Sequence, residues 1–288
     1  MSDVTTRDPE VAALLPEAQR TMRRVARTFA TAAWLLPRAV REDTELLYLV
    51  LRTLDDLVDL EGAGSDDADA RLAAAEAWAH DASPAPTRET RILDDLARRH
   101  PSLPRDAVAD FVAGMRQDLA GPRIETEEDL DVYAYRVAGT VGRLMAELLG
   151  AEGPDADRAA RALGIAMQRT NIIRDVDEDL ARGRVYLPVA TLAAHGIAEA
   201  TIATADRRAL LHEEIGRADA LYDAAIPGIA LLRHGRRSIR AAAVMYREIL
   251  RQVERDGMGE RRPWRSVVPR RRKAVLVFGV VLGRGAAG

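Results

Sequence analysis

Apolar residues recur at helical spacing along nearly the whole chain, and two-residue alternation is absent over any useful length. Segments rich in Gly, Pro and polar residues interrupt this pattern at 61–67, 82–86, 100–104, 120–123, 150–155 and 183–188. The pattern predicts an all-α protein of long helices. It contains no linker and no internal repeat, so we expect one domain over residues 1–288, with residues 1–15 as a candidate disordered lead.

The segment 48–59, YLVLRTLDDLVD, has a narrow polar stripe on an otherwise apolar helix. At about 100° per residue, four polar side chains project within one narrow sector. These residues are Tyr48, Arg52, Asp55 and Asp59. Leucine and valine fill the other faces, so we expect this helix to be buried.

The segment 168–179, QRTNIIRDVDED, repeats the arrangement about 120 residues later, again on an apolar turn. Its stripe consists of Gln168, Asn171, Asp175 and Asp179. Asp177 projects to the opposite side of the helix and is interpreted as ordinary surface. The acid run therefore divides into a functional pair of aspartates and a residue without a role.

Aspartates four residues apart repel each other, and burying both on an apolar helix is costly unless their charge is neutralised. Mg²⁺ prefers oxygen ligands and takes one or two carboxylates together with substrate phosphates. Two such helices facing each other would hold a metal cluster that binds a diphosphate, with Mn²⁺ as an alternative metal. Arg52 and either Arg174 or Arg184 would complete the anion site.

Acid pairs of this kind also occur outside metal sites. A single DxxxD pair is more often a solvated face, and ILDDLARRH, with Asp94 and Asp95 beside Arg98, is interpreted as salt-bridged surface. A di-iron bundle needs Glu-x-x-His pairs, and none of the five histidines follows a glutamate at that spacing. Two striped apolar helices together favour the metal site.

Gly139 and Gly142 interrupt a helical pattern at 133–145. Each glycine destabilises a helix by about 1 kcal/mol relative to alanine. Two explanations remain open. The glycines either permit close helix packing or break the helix so that its backbone approaches a ligand.

Composition and charge limit the classes of chemistry, binding partner and location that remain for this protein. The chain lacks cysteine, which excludes disulfides and thiolate chemistry, and its net charge of −3 gives no field for nucleic acid. The N-terminus lacks the order of a signal peptide, and the longest apolar run near the end, 274–282, is far shorter than the roughly 20 residues of a membrane span. We expect a cytoplasmic protein, soluble or peripheral to the inner face of the membrane.

Stretches through most of the chain resemble the squalene/phytoene synthase family of head-to-head trans-prenyltransferases, most closely its bacterial phytoene synthase-like members. They are RTFATAAWLLP (27–37), YLVLRTLDDLVD (48–59), GMRQDL (114–119), YAYRVAGTVG (133–142), QRTNIIRDVDEDLARGRVYLP (168–188) and YREIL (246–250). The resemblance implies an all-α isoprenoid synthase helical bundle with a central cavity and Mg²⁺-dependent chemistry. One departure from the family is Asp177, where Gly or another non-acid is common.

The resemblance also implies a reaction. Two allylic prenyl diphosphates condense head to head (1-1′) through a cyclopropylcarbinyl diphosphate, and the expected enzyme is of the phytoene synthase type, acting on geranylgeranyl diphosphate. The alternatives are a squalene or dehydrosqualene synthase acting on farnesyl diphosphate, with NADPH required only for squalene, and a terpene cyclase on the same fold. A non-catalytic helical binding protein would have lost the aspartates. Substrate chain length, product and oligomeric state stay open.

Roles carried over from the family fall on specific positions. The metal-binding residues are Asp55, Asp59, Asp175 and Asp179, joined by Asn171 on the same stripe. The diphosphate side comprises Arg52, Gln168, Asn171, Arg174, Arg184 and Tyr186. The cavity aromatics, whose ring faces stabilise carbocations, are Phe29, Tyr48, Tyr133 and Tyr246. Tyr48 and Arg52 join the four aspartates as catalytic candidates.

The segment 261–273, RRPWRSVVPRRRK, is strongly basic. It has three readings: peripheral contact of Arg261–Lys273 with an anionic membrane, a diphosphate-facing residue among Arg270, Arg271 and Arg272, or an exposed basic linker.

Overall fold

A computed structural model of the chain describes residues 6–25, 33, 36–59, 66–82, 86–121, 123–260 and 265–281. Within these ranges the secondary structure is helical, without any β-strand, which confirms the all-α prediction. The residues expected as a disordered lead include a short helix at Pro9–Ala12, whose first turn is capped by the side chain of Asp8.

The described helices run in the following order. They are α1 (Pro9–Ala12), α2 (Leu15–Val25), α3 (Arg38–Asp59), α4 (Asp66–Ala79), α5 (Arg88–Arg99), α6 (Arg105–Leu119), α7 (Glu127–Ala134), a π-helix (Tyr135–Gly139), α8 (Thr140–Leu148), α9 (Pro154–Ala181), α10 (Val189–Ala194), a 3₁₀ turn (Glu199–Thr201), α11 (Arg208–Ala225), a second 3₁₀ turn (Ile226–Leu231), α12 (Arg236–Arg255) and α13 (Arg270–Val281).

Local sequence signals explain where several helices begin. Thr87 caps α5 and Thr126 caps α7, each accepting a hydrogen bond from the backbone N–H three residues later. Pro154 opens α9 at a position where its missing N–H costs nothing. With 28 residues, α9 is long enough to reach from the apolar interior to the acid-rich end of the bundle.

Two apolar cores fill the bundle. The first packs α2, α3, α4, α5, α6 and α8 around residues such as Leu54, Leu93 and Val112. The second packs α9 against α7, α11 and α12 around residues such as Ile173 and Tyr222. Helix α9 contacts more of the bundle than its neighbours do, and its polar stripe faces the space between the two cores.

None of the helices in the described part of the chain combines the length and the apolar character that a membrane crossing needs.

Candidate active site

A cavity of about 490 Å³ lies between the two cores, walled by α3, α6, the π-helix, α8, α9, the second 3₁₀ turn and α12. Its apolar wall includes Met115, Met145, Leu163 and Ile229. Its polar residues include most of those singled out in the sequence. These are Tyr48, Arg52, Asp55, Tyr133, Gln168, Asn171, Asp175, Asp179, Arg184, Tyr186 and Tyr246.

Three predicted site residues do not line the cavity in the described structure. Phe29 lies outside the described residues. Asp59 is the last residue of α3, and its side chain lies outside the described part of the structure. Arg174 is not in the wall, but its guanidinium bonds to the carboxylate of Asp175, with Nε 2.8 Å from Oδ1.

The α3 stripe is organised by Arg52. Its guanidinium donates to Asp55 at 2.8 Å and also pairs with Asp56, so one cation is shared by two adjacent carboxylates and one negative charge remains. Tyr48, one turn earlier, is half-buried, and this burial raises the pKa of its phenol to about 12. The phenol is therefore a neutral hydrogen-bonding group and an aromatic face at physiological pH.

The α9 stripe presents oxygen atoms toward the same cavity. Asn171 Nδ2 donates to Gln168 Oε1 at 3.3 Å, which turns the amide oxygen of Asn171 away from Gln168. That oxygen is buried and has no hydrogen-bond partner among the residues that the structure describes. A buried acceptor without a partner is costly, so the position favours a ligand that supplies positive charge or a donor.

Asp175 and Asp179 differ in their surroundings although they lie one turn apart. Asp175 is held by Arg174 and by Arg265, whose Nε lies 3.0 Å from Oδ1 of Asp175. Burial and the neighbouring charge of Asp175 raise the pKa of Asp179 to about 6. Ionising both carboxylates is therefore unfavourable without a further cation.

The oxygen donors of the α9 stripe fit the implied Mg²⁺, although Asp55 stands apart from them. The described residues contain no group of three histidine or carboxylate side chains that could hold one ion, so Asp55 is not brought into a single cluster with Asp175 and Asp179. The stripe still offers two carboxylates and the unpartnered Asn171 oxygen. An all-oxygen set of this size suits Mg²⁺, which completes its coordination with water and phosphate.

Two tyrosines and an aspartate form a second polar feature of the cavity wall. The rings of Tyr133 and Tyr186 stack with centroids 5.2 Å apart. Their hydroxyl groups both donate to Asp118, at 3.0 Å and 3.3 Å. Burial raises the pKa of both phenols, that of Tyr186 to about 12, so both remain protonated.

The glycines at 139 and 142 serve close packing. A Cβ atom on Gly142 would lie 2.3 Å from the carbonyl oxygen of Ala160, and one on Gly164 would lie 2.3 Å from that of Ala138. Helices α8 and α9 therefore approach each other at backbone distance. The backbone remains helical from α7 through the π-helix into α8, which favours the packing explanation over a helix break.

Asp177 corrects the sequence interpretation. Its side chain is only 10% exposed and pairs at 2.7 Å with Arg207, which is completely buried. Reading it as ordinary surface was wrong, although it does lie off the cavity-facing stripe. Asp95 was misread in the same way, since it is fully buried and bonded to Arg98 and Arg99.

The sequence reasoning missed several residues of the site. Asp118 lies in the GMRQDL stretch but has no acidic partner at helical spacing, so periodicity gave no signal for it. Arg265 pairs with Asp175 although the two residues are 90 positions apart in the sequence. Arg270 and Arg271 are exposed, and Arg272 pairs with Glu248 at 2.9 Å. Among the described arginines of the C-terminal region, the one that pairs with the aspartate stripe is Arg265.

Comparison with known proteins gave concordant results. A squalene/phytoene synthase family model matches residues 22–272. A phytoene synthase of Thermus thermophilus is 38% identical over 254 residues, covering 87% of this chain and 85% of the relative. A 15-cis-phytoene synthase of Synechococcus elongatus is 35% identical over 280 residues, covering 89% of each chain.

Solved structures resemble the chain along most of its length. A ligand-bound dehydrosqualene synthase superimposes with a TM-score of 0.81 at 27% identity, covering 96% of this chain and 98% of the other. A squalene synthase from Alicyclobacillus acidocaldarius gives a TM-score of 0.75 at 27% identity, covering 87% and 96% respectively.

Proposed function

This chain belongs to the squalene/phytoene synthase family, and we propose that it is the prenyltransferase that condenses two geranylgeranyl diphosphates head to head into phytoene. One structural observation carries the reaction class: the cavity has aspartates and arginines at one part of its wall and apolar side chains over the rest. Such a site binds a diphosphate and an isoprenoid chain together. The choice of phytoene follows the relatives at 35–38% identity, which are phytoene synthases.

Arginines would hold the diphosphates. Arg52 lies beside Asp55, while Arg174 and Arg265 both contact Asp175, so three guanidinium groups are oriented toward the two aspartate stripes. Guanidinium groups bind phosphate oxygens bidentately. The residues proposed to hold Mg²⁺ or Mn²⁺ are Asp55, Asp59, Asn171, Asp175 and Asp179. When bound, the metal supplies positive charge to the leaving diphosphate.

The chemistry needs two ionisations. In the first, the C1–O bond of one substrate breaks and diphosphate leaves with the electron pair. The double bond of the second substrate attacks the resulting allylic cation, and loss of a proton closes a cyclopropane ring. In the second, the cyclopropylcarbinyl diphosphate ionises and rearranges to the 1-1′ junction. Loss of another proton gives phytoene. With farnesyl diphosphate as the substrate, the corresponding cation would give dehydrosqualene by loss of a proton or squalene by hydride transfer from NADPH.

The chain's own residues would protect these cations. Aromatic ring faces attract cations, and the stacked pair of Tyr133 and Tyr186 lies in the cavity wall together with Tyr48 and Tyr246. Because burial raises the pKa of Tyr48 and Tyr186 to about 12, these phenols do not ionise and trap a cation as an ether. The apolar side chains of the wall exclude water that would quench the cation to an alcohol.

The proposed reaction can be tested with purified protein. We expect incubation with Mg²⁺ and geranylgeranyl diphosphate to release diphosphate and yield phytoene, identified by mass, without NADPH. Farnesyl diphosphate is assayed in parallel, with and without NADPH, and an Asp175→Asn variant serves as the inactive control.

Each other product has a definite meaning. Dehydrosqualene from farnesyl diphosphate would identify the C15 alternative, which the fit to a dehydrosqualene synthase over 96% of the chain favours. Squalene formed only with NADPH would identify a squalene synthase, and a product without the 1-1′ junction would identify a cyclase. If neither substrate released diphosphate, the proposal would be overturned.

The proposal also includes peripheral contact with an anionic membrane through the C-terminal region. Val267 is 68% exposed, and Val275 and Phe278 on α13 are 61% and 64% exposed. Arg270 and Arg271, at the start of the same helix, are exposed as well. Apolar side chains beside basic ones suit the headgroup boundary of an anionic bilayer, where a released hydrocarbon could enter the lipid.

This contact predicts lipid-dependent binding. We expect the protein to float with vesicles containing phosphatidylserine but only weakly with pure phosphatidylcholine. Replacing both Arg270 and Arg271 with glutamine should weaken binding to the anionic vesicles roughly 30-fold, since each basic residue contributes about 1 kcal/mol and about 1.4 kcal/mol corresponds to a factor of ten. The Val275→Ser/Phe278→Ser variant should bind more weakly to both vesicle types, those with phosphatidylserine and those of pure phosphatidylcholine. Equal flotation of all variants with both vesicle types would contradict the contact.

A further inference from the structure

A buried ion pair lies behind the aspartate stripe of α9. Asp177 Oδ1 and Arg207 Nη1 are 2.7 Å apart, and the Arg207 side chain has no exposed surface. Arg207 is the residue immediately before α11. The pair therefore joins α9, between Asp175 and Asp179, to the start of another helix. Removing one member of a charge pair with so little exposure destabilises the fold, because water does not reach the remaining charge.

The guanidinium of Arg207 also lies close to a tight turn at residues 256–259, which follows α12. A Cβ atom on Gly259 would lie 3.1 Å from Nη2 and 3.6 Å from Cζ of Arg207. The turn has three successive residues with positive φ: Gly257 at +83°, Met258 at +52° and Gly259 at +84°. Glycine at 259 thus serves both the left-handed backbone and the close approach of the guanidinium.

The same turn fixes the segment that carries Arg265. Ser266 is buried, and its hydroxyl donates to Asp256 Oδ2 at 2.6 Å. The adjacent Arg265 pairs with Asp175 and with Glu178, both at 3.0 Å. We call residues 256–260 and 265–269 the C-terminal strap.

These contacts close a ring that begins and ends on α9. Asp177 pairs with Arg207, and Arg207 lies against the turn of the C-terminal strap at Gly259. Arg265 of the strap pairs with Asp175, two residues before Asp177. The Asp177–Arg207 pair lies on one side of α9, and the Asp175–Arg265 pair lies on the other. A shift of Arg207 would therefore be transmitted to Arg265 through the turn and Ser266.

We propose that the Asp177–Arg207 pair is a positioning device that holds Arg265 over the diphosphate site. Neither residue touches the substrate; both act through the C-terminal strap. The inference rests on the proposed function, because it takes Arg265 as a diphosphate ligand. It also gives a role to Asp177, the position at which the sequence departs from the family pattern.

A double-mutant cycle tests the inference. The measured quantity is the dissociation constant of inorganic pyrophosphate in the presence of Mg²⁺, obtained by calorimetry. We expect Asp177→Asn to weaken binding five- to tenfold in the unaltered chain. In an Arg265→Gln background, Asp177→Asn should change the constant less than twofold, because the group it positions has been removed. Non-additivity of this kind is the signature of residues acting as a unit.

Controls separate positioning from a general loss of structure. Asp206→Asn removes an exposed acid beside Arg207 and should leave pyrophosphate binding unchanged. Melting temperatures are recorded for every variant. If Asp177→Asn does not fold, Gly259→Ala replaces it, since the added Cβ presses on the same guanidinium. We expect it to give the same dependence on Arg265.

Three results would overturn the inference. Asp177→Asn could lower the melting temperature without changing pyrophosphate binding, or it could weaken binding equally with and without Arg265, and either would indicate a merely structural pair. Absence of pyrophosphate binding by the unaltered chain would overturn it too. The proposed condensation is judged separately by product formation from prenyl diphosphates, so either idea can fail while the other stands.

Discussion

Replacing Asp175 with asparagine is expected to lower kcat for diphosphate release by about 100-fold or more, the range seen when one preorganised electrostatic group is removed from an active site. Asp175 lies in the cavity wall, one turn from Asn171 and Asp179, where its carboxylate is a proposed metal ligand. Its charge also orients Arg174 and Arg265. The substitution removes a ligand charge and releases two arginines at once, so its effect should exceed that of any single arginine variant.

Steady-state assays with prenyl diphosphate over a range of Mg²⁺ concentrations check this expectation. Asp177→Asn is the matched control, since it makes the same chemical change two residues away on the opposite face. We expect the kcat of this variant to fall by tenfold or less. Asp155→Asn, at the exposed start of α9, should have no effect. Equal losses at 175 and 177 would refute the idea that the orientation of each aspartate on the helix decides its role.

The fold was predictable because its signal is local and repeated. Apolar residues at helical spacing, broken by Gly- and Pro-rich segments, identify an all-α chain from the sequence alone. The local deviation at the π-helix was not predictable. It depends on how the chain around Gly139 meets α9, where Gly164 sits against the carbonyl of Ala138, and this contact joins residues more than 20 positions apart.

The candidate site was predictable where its residues share one helix face. Asp55, Asn171, Asp175 and Asp179 were found by angle alone, and the structure places them in one cavity wall. Periodicity reports which side of a helix a residue occupies, but it does not report what lies opposite. The sequence could therefore separate Asp177 from the stripe but not reveal Arg207, 30 residues away.

The same limit explains Arg265 and Asp118. Each is a single charged residue whose partner comes from a distant segment: Asp175 for Arg265, and the hydroxyls of Tyr133 and Tyr186 for Asp118. In a chain with 42 basic residues, almost all of them arginine, the presence of one more arginine carries no information. Only the folded geometry distinguishes an arginine at the site from one in solvent.

Helix α9 is also anchored by a buried charge cluster, on which its stability should depend strongly. Arg169 is only 3% exposed, and it bonds to Glu127 and Asp131 at 2.8 Å and to Glu214 at 3.0 Å. It thereby ties α9 to α7 and α11, next to Gln168 of the stripe. Burial and the charge of Glu127 raise the pKa of Glu214 to about 8, although Arg217 also lies 3.4 Å from Glu214.

Arg169→Met is therefore expected to lower the free energy of unfolding by about 3–5 kcal/mol, because it removes the buried cation that pairs with the fully buried Glu214 and leaves only the more exposed Arg217 beside it. Glu214 binds its proton more tightly in the folded state than at its ordinary pKa of 4.5, so its contribution to stability is lost as the pH rises toward about 8. The loss of unfolding free energy in the variant should accordingly be larger at pH 8 than at pH 5, as measured by urea unfolding.

The matched control is Arg158→Met, at an exposed ion pair on the same helix, which should lower the free energy of unfolding by less than about 1 kcal/mol at either pH. A deficit for Arg169→Met that is equally small, or that does not change with pH, would contradict the anchoring role of the cluster.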